Sequence, residues 1–310
     1  METAGQEVGK IETPLRQLGT RIDRLVAKAD AVGTTEHLTI GDNTIAYDLI
    51  GEGPLVVLAH GLGDSRHSYR FVAPALAAAG YRVASVDIRG CGDSSLGWYG
   101  YTRTDIAGDL VALVRHLGGP AVLIGHSVSG GAATIAAATA PDLVTGLIEL
   151  APFTLKQVND LGGLVRVKRY RAGATLMARV ALLGSLSAWK KYLELAYPVR
   201  PADWDGELAR IEDKMREPGR MKALQAMCKS AADAGAQLPN VACAVLVIEG
   251  SADPDWADPS AEGERIIANL PQGLGQLVVI EGAGHYLHAQ TPDQVVALAL
   301  PFIAKTLIRA

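Results

Sequence analysis

The alternation of hydrophobic and polar positions changes period several times along this chain. Residues 11–31 carry apolar side chains three and four positions apart with basic side chains between them, which is typical of an amphipathic helix. From about residue 36 the pattern alternates through HLTIGDNTIAYDLIGEG and turns at Gly41 and Asp42, which predicts an antiparallel hairpin. The next segment, PLVVLAHG, is continuously apolar, as expected of a third strand that is buried on both faces.

Strand and helix patterns then alternate as far as Phe153 and resume near residue 240. The predicted elements are helices at about 68–79, 103–117 and 128–140, strands at YRVASVDIRG, AVLIGHS, LIELAPF, AVLVIEG and QLVVIEG, and a last helix from about 291. Asp258 and Pro259 open a further helix between the last two strands as its N-cap and first residue. This order predicts an α/β fold with a mostly parallel sheet and helices wound on both faces.

Between the two alternating stretches, some 85 residues carry helical patterns and no strand is evident. We therefore expect an α/β core formed by residues 36–153 and 240–310, with a helical cap at 154–239 inserted after the sixth strand. Residues 1–35 are predicted to form an N-terminal helical extension. Its apolar stripe must pack on something, either the body of its own subunit or a second copy in a homodimer.

Composition narrows the class of protein. Hydrophobic residues make up 49% of the 310 positions and charged residues 20%, so a large core is expected and disorder is not. The net charge of −4 provides no basic field that would attract nucleic acid.

No apolar run reaches the roughly 18 residues of a membrane span, and the start METAGQEVGK lacks the regions of a signal peptide. Three widely separated cysteines argue against a disulfide framework or a zinc site and favour a cytoplasmic location: Cys91, Cys228 and Cys243.

A candidate nucleophile lies in AVLIGHSVSGG, where Ser127 follows a buried strand and precedes a helix of small residues. A nucleophile on such a sharp turn requires very small residues two positions before it and two after it. Gly125 and Ser129 meet this requirement. Ser129 replaces the more usual glycine, and its hydroxyl makes it a competing nucleophile candidate.

A candidate base and its orienting carboxylate follow the last two strands. His285, in the Gly-rich segment EGAGHYLH, can bring an imidazole to the carboxyl edge of the sheet, where ligands bind in such folds. Asp253 ends the preceding strand, and a carboxylate there can accept the histidine Nδ1–H. Asp255 and Glu149 are alternative orienters. Structural or packing roles are predicted for four other histidines: His37, His116, His126 and His288.

The third strand leads into His60, Gly61, Leu62 and Gly63. In a site for acyl transfer, one oxyanion-hole amide comes from this position and the other from the residue after the nucleophile. The amides of Leu62 and Val128 are therefore the predicted oxyanion hole.

Five motifs occur together in this order: HGLGDS, DIRGCGDS, GHSVSG, GSADP and GAGH. In this respect the chain resembles the α/β-hydrolase superfamily over residues 37–153 and 241–310. The resemblance implies the α/β-hydrolase fold, a cap between the sixth and seventh strands, and a mechanism carried by Ser127, His285 and Asp253. It also implies a structural loop after the fourth strand that Asp87 and Arg89 hold in place.

The expected activity is that of a serine hydrolase that cleaves carboxylic esters or lactones of a mainly apolar small molecule through an acyl-enzyme. Such chemistry needs no metal and no organic cofactor. Hydrolysis of carbon–carbon bonds, cofactor-free haloperoxidase activity, and a receptor with little turnover remain alternatives on the same triad. Epoxide hydrolases and haloalkane dehalogenases of this fold place aspartate at the nucleophile position, so Ser127 disfavours both.

The cap carries an uneven charge. Residues 166–200 hold eight basic residues and one acid, Glu194, while the following stretch is acidic. An anionic substrate would fit the basic part, but mutual pairing at the surface is the favoured interpretation. The acids in question are Asp203, Asp205, Glu207, Glu212 and Asp213.

Overall fold

A computed structural model describes residues 34–157, 160–230 and 232–307. Eight strands form one sheet in the order β1-β2-β4-β3-β5-β6-β7-β8. The strands are β1 Thr34–Ile40, β2 Asn43–Ile50, β3 Leu55–Ala59, β4 Arg82–Val86, β5 Ala121–His126, β6 Val144–Leu150, β7 Ala244–Gly250 and β8 Gly275–Ile280. The helix expected at 11–31 lies outside the described residues.

Pairing within the sheet follows the pattern that the sequence predicts. β1 and β2 form an antiparallel hairpin in which Ile40 lies opposite Asn43, and β2 also runs antiparallel to β4. The other neighbouring strands are parallel. Every residue of β3 and β5 is buried, because helices cover both faces of the sheet. This confirms the predicted mostly parallel sheet wound on both faces.

Eleven α-helices are present in the part of the chain that the structure describes. They are α1 Val72–Ala78, α2 Arg103–His116, α3 Val128–Thr139, α4 Leu161–Arg166, α5 Lys168–Leu183, α6 Leu186–Ala196, α7 Trp204–Arg216, α8 Arg220–Cys228, α9 Pro259–Asn269, α10 Leu287–Gln290 and α11 Pro292–Leu307. Two short 3₁₀ helices span Arg66–Tyr69 and Ala234–Asn240. None of the described helices combines the length and the hydropathy that a membrane crossing requires.

The core lies in two layers, one on each face of the sheet. One layer includes Ile106 and Leu110 of α2, and the other includes Leu76 of α1 and Ile303 of α11. The large aliphatic side chains of both layers are almost fully buried, and burial of each contributes roughly 1.5–3 kcal/mol of transfer free energy. The layers hold the strands rigidly, so the residues at their carboxyl ends keep fixed positions.

Several boundaries differ from the sequence prediction. Thr34 and Thr35 belong to β1 and not to the helical extension predicted at 1–35, and the strand predicted over YRVASVDIRG ends at Val86. The helix expected at 68–79 is a 3₁₀ turn followed by α1, which begins at Val72. Pro74 has no N–H, so it fits the first turn of a helix but not the interior of a longer one. The sixth strand ends at Leu150 because Ala151 adopts a φ of 42°, which turns the chain away from the sheet.

Five helices, α4 to α8, lie between β6 and β7, where the sequence predicts the cap, and we refer to them as the cap. They contribute most of a third apolar cluster. Trp189 and Leu193 of α6 pack with Trp204 and Ile211 of α7, and Tyr286 of the body joins them. All five side chains are buried. The cluster therefore continues from the cap into the loop that carries His285.

The acidic stretch of the cap pairs within the cap, as expected, and also with the body, which the sequence does not predict. Within the cap, Lys190 pairs with Glu212, and the Arg210 guanidinium donates to Glu207 at 2.7 and 2.9 Å. Asp203, however, accepts two hydrogen bonds from the Arg70 guanidinium, at 2.6 and 2.8 Å. Glu207 accepts one from His67 at 2.9 Å. These acids attach α7 to the turn after β3, an arrangement that depends on a tertiary contact between distant segments.

Candidate active site

Ser127 occupies the turn between β5 and α3 with φ 56° and ψ −120°. A left-handed φ is unfavourable for a residue with a side chain and costs on the order of 1–3 kcal/mol. The surrounding hydrogen bonds offset this cost. The Ser127 N–H donates to the Leu150 carbonyl at 2.9 Å, and the Ser127 carbonyl accepts from the N–H of Phe153 at 3.0 Å. This is the strained strand-to-helix turn on which a nucleophile would project.

The two small neighbours of Ser127 are required by different contacts. A Cβ on Gly125 would lie 2.3 Å from the Ser129 carbonyl oxygen, so only glycine fits there. Ser129 is fully buried, and its hydroxyl donates to the His60 carbonyl at 2.5 Å. The hydroxyl of Ser129 is thus engaged away from the cavity, which argues against its role as the nucleophile.

His285 and Asp253 are in direct contact. The Nδ1 atom of His285 lies 2.8 Å from Oδ2 of Asp253, and both residues are buried. The loop backbone is held from two sides, because the His285 N–H donates to the Ala196 carbonyl at 3.1 Å and the His285 carbonyl accepts from Nε2 of His126 at 3.0 Å. A carboxylate only accepts hydrogen bonds, so the neutral imidazole carries its proton on Nδ1 and has a free lone pair on Nε2.

A second carboxylate, Asp255, also faces the imidazole. Its Oδ2 lies 3.3 Å from Nδ1 of His285 and accepts a 2.5 Å hydrogen bond from the hydroxyl of Tyr192 on α6. Burial alone would lower the pKa of His285, but the charges of Asp253 and Asp255 outweigh it and raise the pKa above its ordinary value. The sequence identified Asp255 as an alternative orienter but gave no sign of Tyr192, whose helical spacing indicates only a core residue.

The predicted oxyanion segment approaches Ser127 closely. A Cβ on Gly61 would lie 3.0 Å from Cβ of Ser127, so the backbone before Leu62 passes directly beside the candidate nucleophile. His60 fixes this segment, since its Nδ1 donates to the Gly61 carbonyl at 2.7 Å and its Nε2 accepts from the Ile88 N–H at 3.2 Å. Burial lowers the pKa of His60 to about 4, so the ring stays neutral.

The second predicted amide belongs to Val128, the first residue of α3. Amides in the first turn of a helix have no acceptor within the helix, and the helix dipole favours negative charge at this end. Leu62, Val128, Ser127 and His285 all line one cavity. The assignment of Leu62 and Val128 as oxyanion donors stays a prediction.

The other candidates have structural contacts. Glu149 accepts hydrogen bonds from the hydroxyls of Thr134 and Thr154 at 2.5 and 2.7 Å, and its burial raises its pKa to about 7. It therefore belongs to the interior beneath α3 and not to the imidazole. His126 packs against His285 with ring centroids 4.6 Å apart, as predicted for a packing residue. His288 stacks on Tyr69 at 4.5 Å.

The loop after β4 is held in place as expected. Asp87 accepts the N–H of Asp93 at 2.7 Å, and Arg89 makes two hydrogen bonds of 2.7 Å to the carboxylate of Asp109. Arg89 also donates to the Gly100 carbonyl at 2.9 Å. Paired and buried in this way, both side chains support the loop.

A cavity of about 780 Å³ lies between the sheet edge and the cap. Its body side includes Ser127, His285, Leu62 and Val128. Its cap side is mostly apolar and includes Tyr170, Ala174, Met177, Ala178, Ala181, Trp189 and Met227. Arg103, Lys156 and Gln157 add polar groups to the wall. A cavity with apolar walls and a few polar groups is typical of a small-molecule site.

In the described part of the chain, one group of His and carboxylate side chains has spacing close enough for a metal ion: Asp253, Asp255 and His285, with one atom of each within 4.8 Å of the others. The Nδ1 that a metal would need is already hydrogen-bonded to a carboxylate. We therefore interpret the group as a hydrogen-bonded charge network.

Comparison with known proteins gives relatives that share one broad activity. The chain is 28% identical over 283 residues to 2-(acetamidomethylene)succinate hydrolase of Mesorhizobium japonicum, covering 87% of this chain and 95% of that protein. It is 29% identical over 256 residues to pimeloyl-[acyl-carrier protein] methyl ester esterase of Neisseria meningitidis, with 80% and 92% covered. Epoxide hydrolase B of Mycobacterium tuberculosis is 31% identical over 209 residues, which span 61% of this chain and 53% of the relative.

The sequence profile of the alpha/beta hydrolase family matches residues 56–298. This range contains β3 except for its first residue, the strands β4 to β8, the cap and every candidate site residue. The relatives named above are all hydrolases. The chain therefore belongs to the alpha/beta hydrolase family, as the motifs along its sequence predict, and its general activity is that of a hydrolase.

Proposed function

We propose that this hydrolase cleaves carboxylic esters or lactones of a mainly apolar small molecule through an acyl-enzyme on Ser127. The observation that carries the proposal is the arrangement around one cavity. A serine on a strained turn and an imidazole paired with Asp253 both line it, beside the backbone of Leu62 and Val128. These are the parts that nucleophilic acyl transfer requires.

In the proposed reaction, Nε2 of His285 removes the proton from Oγ of Ser127 as Oγ attacks the acyl carbonyl. The carbonyl oxygen becomes an oxyanion and accepts hydrogen bonds from the N–H groups of Leu62 and Val128. The C–O bond to the alcohol then breaks, and the imidazolium returns its proton to the leaving oxygen. A water molecule, deprotonated by His285, attacks the acyl-enzyme and releases the acid and Ser127 in the same way.

The substrate class is inferred from the cavity and from one relative. The cap side of the cavity is mostly aliphatic, aromatic and thioether surface, which favours an apolar acyl or ring portion. The esterase from Neisseria meningitidis, which aligns along four-fifths of this chain, is named for a methyl ester. The wall also includes the basic residues Arg103 and Lys156. The cavity therefore suits a substrate with at most one polar end.

The test is a panel of p-nitrophenyl esters with short and medium acyl chains, together with simple lactones. We expect saturable turnover and a higher kcat/KM with apolar acyl groups than with charged ones. We also expect that a serine-directed fluorophosphonate inactivates the protein. Absence of ester and lactone turnover by a folded protein would contradict the proposal. A preference for small, strongly charged esters would contradict the substrate class alone.

The pH dependence of kcat/KM should show an ascending limb. The base must be neutral to take the serine proton, and the sequence alone places its apparent pKa at roughly 6 to 7. The two aspartates raise the pKa of His285, so we expect the midpoint above the ordinary value of about 6.5. Initial rates at low substrate from pH 5 to 9 measure it. A flat profile from pH 5 to 8 would count against His285 as the base.

Substrate preference should depend on the cap. Met177 of α5 lines the cavity and is only partly buried, so Met177→Ala should change the ratio of kcat/KM between long and short acyl esters by roughly tenfold. Leu182→Ala on the same helix is the matched control, because Leu182 is 72% exposed on the outer surface. Equal effects on all substrates, or the same change in the control, would argue against this role of the cap.

A further inference from the structure

The imidazole of His285 has one more partner than a Ser-His-Asp triad needs. Asp255 lies 3.3 Å from Nδ1, while Asp253 lies at 2.8 Å, so Asp253 is the principal acceptor. The same oxygen of Asp255 accepts the hydroxyl of Tyr192. Tyr192 belongs to α6, so a chain of polar contacts runs from the cap through a carboxylate to the imidazole.

Asp255 also supports Asp253 through its backbone. Its N–H donates to Oδ1 of Asp253 at 2.8 Å, while Oδ2 of Asp253 faces His285. Asp253, Asp255 and Tyr192 are all buried, and the Asp255 and Tyr192 side chains line the cavity. A substrate or a cap movement would therefore reach Asp255 before Asp253.

A buried carboxylate is costly unless its charge is compensated. Burial and the nearby charge of Asp253 raise the pKa of Asp255 to about 6, against the opposing influence of a positive charge on His285 and of the Tyr192 hydrogen bond. The hydroxyl of Tyr192 thus favours the charged form of Asp255. Loss of that hydroxyl would favour the neutral form, which stabilises an imidazolium much less.

We propose that Asp255 is a positioning residue that acts through His285: held by Tyr192, its negative charge stabilises the imidazolium, and the Tyr192 hydrogen bond makes this depend on the position of the cap. This proposal rests on the proposed function, because it requires His285 to be the general base. It assigns to Tyr192 a part in catalysis that involves no contact with the reacting atoms.

Other groups face the His285 ring and have to be considered in any pH experiment. They are Asp253 from the loop after β7, His126 from β5, Tyr286 from the loop after β8 and Tyr192 from the cap, together with the uncharged ring of Phe153. Burial lowers the pKa of His126 well below its ordinary value and raises the pKa of both tyrosines well above theirs. These three groups therefore stay neutral across an assay from pH 5 to 9.

The first experiment compares the pH profile of kcat/KM in the wild type and in Asp255→Asn. Removal of a negative charge beside the imidazole destabilises its protonated form, so the midpoint of the ascending limb should move to lower pH by about one unit. Fluorophosphonate labelling of Ser127 and the thermal unfolding temperature report whether the variant is folded and competent. An unchanged midpoint in a folded variant would overturn the proposal.

The second experiment tests the connection to the cap. Tyr192→Phe should shift the midpoint in the same direction by a smaller amount, and the double variant should match Asp255→Asn, because Tyr192 acts through Asp255. Tyr170→Phe, which removes a hydroxyl from another cap residue that lines the cavity, should leave the midpoint in place. Additive shifts in the double variant would overturn the connection. If Asp255→Asn does not fold, an unchanged midpoint in Tyr192→Phe decides against the proposal.

The two proposals fail in different ways. If wild-type Ser127 is not labelled and esters are not hydrolysed, the proposed function is wrong. If labelling and turnover are normal but the variants at 255 and 192 keep the wild-type midpoint, only the role of Asp255 is wrong.

Discussion

Replacement of Ser127 by alanine should lower kcat for ester hydrolysis by at least about 10⁴-fold with little loss of stability. The reason is that Ser127 is the serine that the strained turn after β5 places in the same cavity as the His285 imidazole, while the strain at this position exists in the wild type already. Alanine keeps the volume close to that of serine. Steady-state kinetics on the best p-nitrophenyl ester, with thermal unfolding, measure both effects.

Ser129→Gly is the matched control for Ser127→Ala. It removes a hydroxyl two positions away that is committed to the His60 carbonyl, and it restores the residue more usual at this position. We expect it to keep activity within about tenfold of the wild type, because it removes one hydrogen bond from the oxyanion segment. Mass spectrometry after fluorophosphonate treatment should place the adduct on Ser127. An adduct on Ser129 would reverse the assignment.

Asp253→Asn should produce the second large effect, a fall in kcat of roughly 10³- to 10⁴-fold. An asparagine presents a donor or a weaker acceptor to Nδ1, so the ring loses the tautomer that leaves Nε2 free for the serine proton. Asp255 lies 3.3 Å from the same nitrogen and can partly replace Asp253, so the fall in kcat should be nearer 10³-fold than 10⁴-fold. Substitution of both aspartates should therefore lower kcat further than Asp253→Asn alone.

Asp258→Asn controls for general damage to this segment. Asp258 is exposed and accepts the Ala261 N–H at the start of α9, a role that asparagine fulfils equally well. Activity of this variant should be close to that of the wild type. If Asp253→Asn and Asp258→Asn lower kcat to a similar extent, the loss reflects the fold of the loop and not the orientation of His285.

Much of the fold follows from local patterns in the sequence. The strands β3 and β5 are continuous apolar runs because both of their faces are buried, whereas β1, which is largely exposed, contains polar residues. The candidate residues Ser127, Asp253 and His285 could be predicted because each follows a strand at the same edge of the sheet. Their order along the chain and the sheet geometry are enough to bring them together.

Contacts between the cap and the body could not be predicted in this way. The hydrogen bond from Tyr192 to Asp255 joins residues 63 positions apart, and that from Arg70 to Asp203 joins residues 133 apart. Neither residue type nor spacing distinguishes Tyr192 from the core side chains around it on α6. The sequence therefore predicts pairing of the acids with basic neighbours inside the cap, which Glu212 follows, but it gives no sign that Asp203 pairs with Arg70 of the body.

The attachment of α7 has a consequence for exchange of the cap between relatives. Leu62 lies only two residues before Asp64, whose Oδ1 is 3.6 Å from the Arg210 guanidinium of α7, and the same turn continues to His67 and Arg70. One short segment thus lines the candidate active site and also makes the contacts that hold α7 of the cap. A chimaera with a foreign cap alters this segment as well as the pocket. Chimaeras that keep acidic residues at positions 203 and 207 should transfer substrate preference with the smallest loss of kcat.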